Sequence, residues 1–184
     1  MDDGTLLAAL REHAYLEGDF VLRSGKRSRY YLDKYRFETV PQLLEALGER
    51  VATTAARLEP AATRLAAPEL GAVALAAAAS LAGRLPFLIV RGEAKTYGTA
   101  NRLEGAFSPG ERVVLVEDVV TSGGAAADAV RALRQAGLEC RTAICVIDRE
   151  EGGADSLARL GVRLYPLFRA AEVVAGRAAE KARG

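Results

Sequence analysis

Arg112-Val-Val-Leu-Val-Glu-Asp-Val-Val-Thr-Ser-Gly-Gly-Ala125 is the stretch from which the rest of the chain can be read. Residues 113–116 are an unbroken apolar run, the pattern of a strand buried on both faces of a parallel sheet. Two adjacent carboxylates, Glu117 and Asp118, follow at its end. Val119 and Val120 lead into Thr121, Ser122, Gly123 and Gly124, small residues whose backbone N–H groups can turn toward one point. An alanine-rich helical stretch begins at Ala125. An anion seated on such amides also gains the helix dipole, and the two acids can accept hydrogen bonds from sugar hydroxyls. Strand, acids, loop and helix together describe a site for a phosphorylated sugar. An ordinary strand-to-helix turn contains the same elements, and it is the length of the matching string that counts against it.

Working outward, strands and helices alternate. Residues 5–17 carry apolar positions at helical spacing after Thr5. Residues 18–33 alternate about a turn at Ser24-Gly25-Lys26, as a hairpin does, with Tyr30 and Tyr31 on the second strand. Taken alone, that aromatic pair covers a sheet edge. Pro41 opens a helix at its favoured first position, with Leu43, Leu44, Leu47, Val51 and Ala55 on one face. A short strand at 63–66 runs into Ala67-Pro68-Glu69-Leu70-Gly71 and an alanine-rich helix. That loop is either a plain connection or a second source of backbone amides. A buried strand at 86–90 precedes a polar segment, 91–105, which has no clean period; a segment of this kind between core strands is usually functional or mobile. After the helix that ends at Gly137 come a strand at 140–147 closed by Asp148-Arg149, a loop, a short helix at 155–160, a last strand at 162–167 and a helical tail from 168. The order implies a mostly parallel sheet flanked by helices, with ligands at the C-terminal ends of the strands.

Composition narrows the functions. A chain of 184 residues, half of them hydrophobic, is one domain with a sizeable core. A net charge of +1 excludes a nucleic-acid binder that relies on bulk electrostatics. Only four of the 25 basic residues are lysine, Lys26, Lys34, Lys95 and Lys181, so a lysine in a conspicuous place merits weighing. The single histidine, His13, lies in the N-terminal helical stretch and leaves almost no histidine chemistry. Cys140 and Cys145, at odd spacing on one strand, are expected on opposite faces, buried and reduced, as in a cytoplasmic protein. The N-terminus lacks a signal-peptide pattern. The longest uncharged stretch, residues 70–83, is 14 residues, too short for a membrane span.

Residues 113–125 resemble, over thirteen consecutive positions, the phosphoribosyl diphosphate (PRPP) motif of the type I phosphoribosyltransferases. Three further segments narrow the resemblance to the orotate phosphoribosyltransferase family, from about residue 16 to residue 174. Arg23-Ser24-Gly25 followed by Ser28 and Tyr30-Tyr31 looks like the family's N-terminal hood, about residues 16–38. Arg91-x-Glu93-x-Lys95-x-x-Gly98, ending at Glu104-Gly105, looks like its flexible catalytic loop. Asp148-Arg149 matches the family's Asp-Arg after the next strand.

The resemblance implies a type I phosphoribosyltransferase fold over residues 1–184, with orotate and PRPP giving orotidine 5′-phosphate and diphosphate in pyrimidine synthesis. It implies catalysis by Lys95 and Arg91. PRPP would be held by Arg23, Arg91, Gly92, Lys95, Tyr97, Glu117, Asp118, Val119, Val120 and Thr121 to Ala125. Orotate would lie against Tyr30, Tyr31, Thr121 and Arg149. Mg²⁺ would arrive on the diphosphate rather than in a protein cage, and a homodimer would share the catalytic loop across its interface. Three positions depart from the family's pattern: Gly92 stands where a second basic residue is frequent, Tyr97 where histidine is frequent, and residues 69–71 lack a lysine that some members carry. The alternatives are transfer to another nucleobase, which the hood, Lys95 loop and Asp148-Arg149 oppose, and a non-catalytic PRPP-sensing regulator, which the presence of Lys95 opposes.

Overall fold

The computed structural model describes residues 1–21, 25, 27–93 and 102–181. Helix α1 (Asp3–Ala14) starts earlier than the apolar pattern predicts because Asp2, not Thr5, is its cap. The Asp2 carboxylate accepts from the Thr5 N–H at 2.9 Å and the Thr5 hydroxyl at 2.7 Å, satisfying a first-turn amide that would otherwise be orphaned. Strands β1 (Tyr15–Val21) and β2 (Arg27–Leu32) form the expected antiparallel hairpin, with an irregularity between Glu17 and Phe20. A helix that the sequence pattern does not announce, α2 (Lys34–Glu38), follows at once; the Asp33 carboxylate caps it by accepting from the Tyr35 N–H at 3.1 Å.

Helix α3 (Pro41–Leu58) buries Leu43, Leu47, Val51 and Ala55 along the predicted face, each large side chain contributing about 1.5–3 kcal/mol relative to exposure. It packs on α4 (Gly71–Gly83) so closely that a Cβ on Gly48 would lie 2.7 Å from the Ala78 Cβ. The small residues of both helices are what permit this approach.

The remaining elements are β3 (Arg64–Pro68), β4 (Phe87–Val90), β5 (Leu103–Glu104), β6 (Arg112–Val120), α5 (Gly124–Gln135), β7 (Glu139–Asp148), α6 (Gly153–Ala158), β8 (Arg163–Arg169) and α7 (Ala170–Lys181). Six strands form one sheet in the order β5-β4-β3-β6-β7-β8, parallel except for the short β5. The chain moves outward from β3 to β4, then returns to β3's other side with β6. Beyond β6 it moves outward again through β7 and β8. The C-terminal ends of β3 and β6 thus form the switch point where an open α/β sheet leaves a crevice. Val114 and Val116 of β6 face one apolar cluster with α1, α3 and α4, and Val113 and Leu115 face a second with α5 and α6. The strand is buried on both faces, as its apolar run predicts.

One expectation fails for a local reason. Val113 pairs with Cys140 but Val114 pairs with Thr142, so Arg141 is an extra residue bulged from β7. The bulge reverses the alternation. Cys145 then pairs with Glu117, and Cys140 and Cys145 lie on the same face rather than opposite ones. Four strand positions, about 13 Å, still separate them; both are free and buried. Among the described residues, no helix is long and apolar enough to cross a membrane.

Candidate active site

Glu117 and Asp118 end the buried run of β6 and are themselves buried, at 6% and 2% exposure. Burial, and then the neighbouring Asp118, push the Glu117 carboxyl up to about 8. Near neutral pH it therefore offers an O–H as well as an acceptor oxygen. The Asp118 carboxylate is contacted at both oxygens, by a hydrogen bond at Oδ1 and by an ion pair, not a well-directed hydrogen bond, at Oδ2. Its Oδ1 accepts from the Val119 N–H at 2.5 Å, and its Oδ2 lies 2.6 Å from the Lys34 ammonium.

After β6, the exposed Thr121 and Ser122 lead into Gly123, whose φ of +77° is the left-handed conformation that glycine adopts at little cost. Helix α5 starts there with no side-chain cap, leaving its first N–H groups, on residues that line the smaller cleft, for a ligand or water. A Cβ on Gly123 would lie 3.0 Å from Gly153 Cα, and one on Gly153 would run into Val120 and lie 2.7 Å from the Thr121 carbonyl. The loops after β6 and β7 are interlocked through this glycine pair.

Two adjoining clefts open here. The smaller, ≈ 260 Å³, is lined by Glu117, Asp118, residues 119–121 and 123–126, and by Pro68, Glu69 and Gly71 of the β3–α4 turn. The larger, ≈ 890 Å³, runs from Thr121, Ser122 and Ala125 to Tyr31, Leu32, Arg149 and Glu151. Val119, Thr121, Gly124, Ala125 and Lys34 line both.

Arg149 is set by the turn after β7. Its backbone N–H donates to the Val120 carbonyl at 2.8 Å, and the Asp148 carboxylate accepts from the Glu150 N–H at 2.9 Å. The Arg149 side chain is 8% exposed, with Nη2 3.0 Å from Glu151 Oε1 and the guanidinium carbon 5.7 Å from the centre of the Tyr30 ring. Its Nε is buried with no hydrogen-bond partner among the described residues. The two tyrosines of the hood divide. Tyr31 is 40% exposed and lines the large cleft. Tyr30 turns inward, stacked on Tyr15 with ring centres 5.7 Å apart, and meets the cleft through Arg149.

The described ends of the 91–105 segment are pinned together. The Arg91 N–H donates to the Arg102 carbonyl at 2.8 Å, and Arg102 pairs with Asp128 of α5 at 2.5 Å. Arg91 Nη1 lies 3.9 Å from both Glu69 and Glu104, and the Gly92 N–H donates to Glu69 Oε1 at 3.0 Å. Arg23, Lys95 and Tyr97 lie outside the described residues.

Four features of the site escaped the sequence reading. Lys34 and Glu38, on the unannounced α2, stand behind Asp118; Glu38 is 4% exposed, and burial followed by Asp118 pushes its carboxyl up to about 8. Lys34 carried one signal, the scarcity of lysine, and Glu38 carried none. Glu151 and Gly153 sit in a loop that reads as an ordinary turn.

The phosphoribosyl transferase domain family matches residues 65–159. The chain is 47% identical over 158 residues to the orotate phosphoribosyltransferase of Methanocella arvoryzae, covering 85% of this chain and 88% of that one. It superposes on the orotate phosphoribosyltransferase of Aeropyrum pernix with a TM-score of 0.84 at 32% identity, over 95% and 98% of the two chains. The corresponding enzyme of Mycobacterium tuberculosis in complex with PRPP gives 0.80 at 26% identity, over 94% and 99%. With the domain over half its length and such identity across most of its residues, the chain belongs to the orotate phosphoribosyltransferase family.

Proposed function

We propose that the chain, as a single phosphoribosyltransferase domain, transfers the phosphoribosyl group of PRPP to orotate, giving orotidine 5′-phosphate and diphosphate in UMP synthesis. The observation that carries this reading is the pair of clefts that meet at Thr121. One holds two buried acids beside an uncapped helix N-terminus, and the other ends at a buried arginine with an unpartnered Nε. The first suits a phosphorylated sugar. The second suits a planar carboxylate. The PRPP held by the Mycobacterium tuberculosis relative supports the first assignment.

In this reading the N–H groups of residues 121–125 take the 5′-phosphate, Glu117 and Asp118 hold the ribose hydroxyls, and Tyr31 and Arg149 seat orotate. The bond from the ribose anomeric carbon to diphosphate breaks as a ring nitrogen of orotate bonds to the opposite face, the nitrogen's proton passing to water or to the departing diphosphate. Arg91, Lys95, Arg23, Gly92 and Tyr97 are assigned to the departing diphosphate, where growing negative charge must be stabilised and water excluded. The donor set fits a cation that arrives with diphosphate: Asp118 already faces an ammonium and Glu117 is held largely protonated. Arriving on the diphosphate, Mg²⁺ would supply charge neutralisation at the leaving group. The same reading makes the protein a cytoplasmic homodimer whose Lys95 reaches the neighbouring site.

Purified protein mixed with PRPP, Mg²⁺ and orotate is expected to consume orotate absorbance and release one diphosphate per orotate. No change with orotate, but turnover with uracil or a purine, would remove the orotate assignment.

A further inference from the structure

We propose that Lys34 is a positioning residue for Asp118, fixing that carboxylate toward the ribose site and tying it to the hood. This rests on the reading above and extends it to a side chain outside the PRPP segment. Lys34 is the first residue of α2, two positions after the strand that carries Tyr30 and Tyr31. It reaches across to a 2%-exposed acid on β6 and stops 2.6 Å from Oδ2. Since Oδ1 is already held by the Val119 N–H, the ammonium supplies the second point that sets the plane of the carboxylate. Each oxygen keeps a lone pair for a sugar hydroxyl.

The surroundings are shaped for this contact. Gly71, at the start of α4, closes over the pair, and a Cβ there would collide with both Asp118 Oδ2 and Lys34 Nζ. Two further carboxyl groups, Glu117 and Glu38, are buried beside Asp118 and pushed toward their protonated forms, and Lys34 is the cation that faces the charged Asp118 among them. Without it, three adjacent carboxyl groups would share a desolvated volume with no positive partner among them. Lys34 also lines both clefts, so the hood and the ribose acid meet at its side chain.

Lys34→Met keeps the length of the side chain and removes its charge. With PRPP varied at saturating orotate and Mg²⁺, KM for PRPP is expected to rise on the order of tenfold or more, the size of one lost charged contact. Because ribose contacts are made in the ground state as well as the transition state, kcat should stay within about threefold. In an Asp118→Asn background the same substitution should add less than about twofold, since Lys34 acts through Asp118. Gly71→Ala, which forces the pair apart without altering charge, should reproduce the KM rise and serves if Lys34→Met does not fold. An unchanged PRPP KM, or full additivity with Asp118→Asn, overturns the proposal while wild-type turnover stands. A wild-type protein that binds no PRPP overturns the functional reading and this one together.

Discussion

Replacing Arg149 with alanine tests the proposed orotate end of the larger cleft. The guanidinium is held on one edge by Glu151 at 3.0 Å and on its face by Tyr30, and the buried Nε has no partner among the described residues. A desolvated donor in that state gains most from a charged acceptor, and a planar carboxylate can engage two N–H groups at once. Hydrogen bonds to charged groups contribute about 1.5–3 kcal/mol each, and the pair shares one charge, so a loss near 3 kcal/mol is expected. That corresponds to roughly a 150-fold fall in kcat/KM for orotate. Arg149 does not line the smaller cleft, so KM for PRPP should move less than about threefold. Arg149→Lys should recover only part of the loss, because an ammonium lacks the fork. Folding should tolerate the change, since the abandoned Glu151 is 40% exposed and can be hydrated. The assay is initial-rate kinetics by orotate absorbance with each substrate varied in turn. Parallel increases in both KM values would show that Arg149 supports the loop rather than the base, and would refute the reasoning.

Lys95→Ala should leave thermal stability and PRPP binding near wild type, measured by calorimetry, while kcat falls about a hundredfold through loss of a transition-state charge; wild-type turnover would remove Lys95 from its role. Gly153→Ala should cost about 1–3 kcal/mol in urea unfolding, because the added methyl meets Val120 and the Thr121 carbonyl, and it should raise KM for PRPP through the displaced loop. Glu38, at about 8 when folded against an ordinary 4.5, binds more protons in the native than in the unfolded state between those values. Its contribution therefore falls as pH rises from about 5 to 8, and Glu38→Gln should flatten the decline in Tm across that window; an unchanged Tm profile would show that Glu38 titrates normally.

The parts of this site that are contiguous in the chain were legible, and those assembled by packing were not. The 113–125 string specifies a buried strand, its acids and its loop, because each has a local cause: apolar continuity, charge and small residues. The α3 face was equally plain, since a long helix repeats its pattern several times. Helix α2 is five residues long and too short to display any period. Without α2 in view, Lys34 and Glu38 had no address in space. The bulge at Arg141 has no compositional mark, and a single inserted residue was enough to bring both cysteines to one face. Arg149 was found through family resemblance, since one arginine after a strand is ordinary by itself.

The interlock of Gly123 and Gly153 couples the two loops of the proposed site. Reaction requires the anomeric carbon and the orotate nitrogen to be held at near-contact distance and in line, and small misplacements are costly. In the proposed reading different loops serve the two ligand halves: residues 121–124 take the sugar phosphate, and residues 149–153 carry the arginine that would meet orotate. Because their backbones touch with no room for a Cβ on either glycine, neither loop can shift without the other. The Arg149 N–H bonded to the Val120 carbonyl adds a second tie a few residues away. Lys34 supplies the third, from the hood to Asp118. Three short-range contacts thus join segments far apart in sequence. The spacing between the two proposed subsites is a property of the C-terminal ends of β6 and β7 rather than of any one loop.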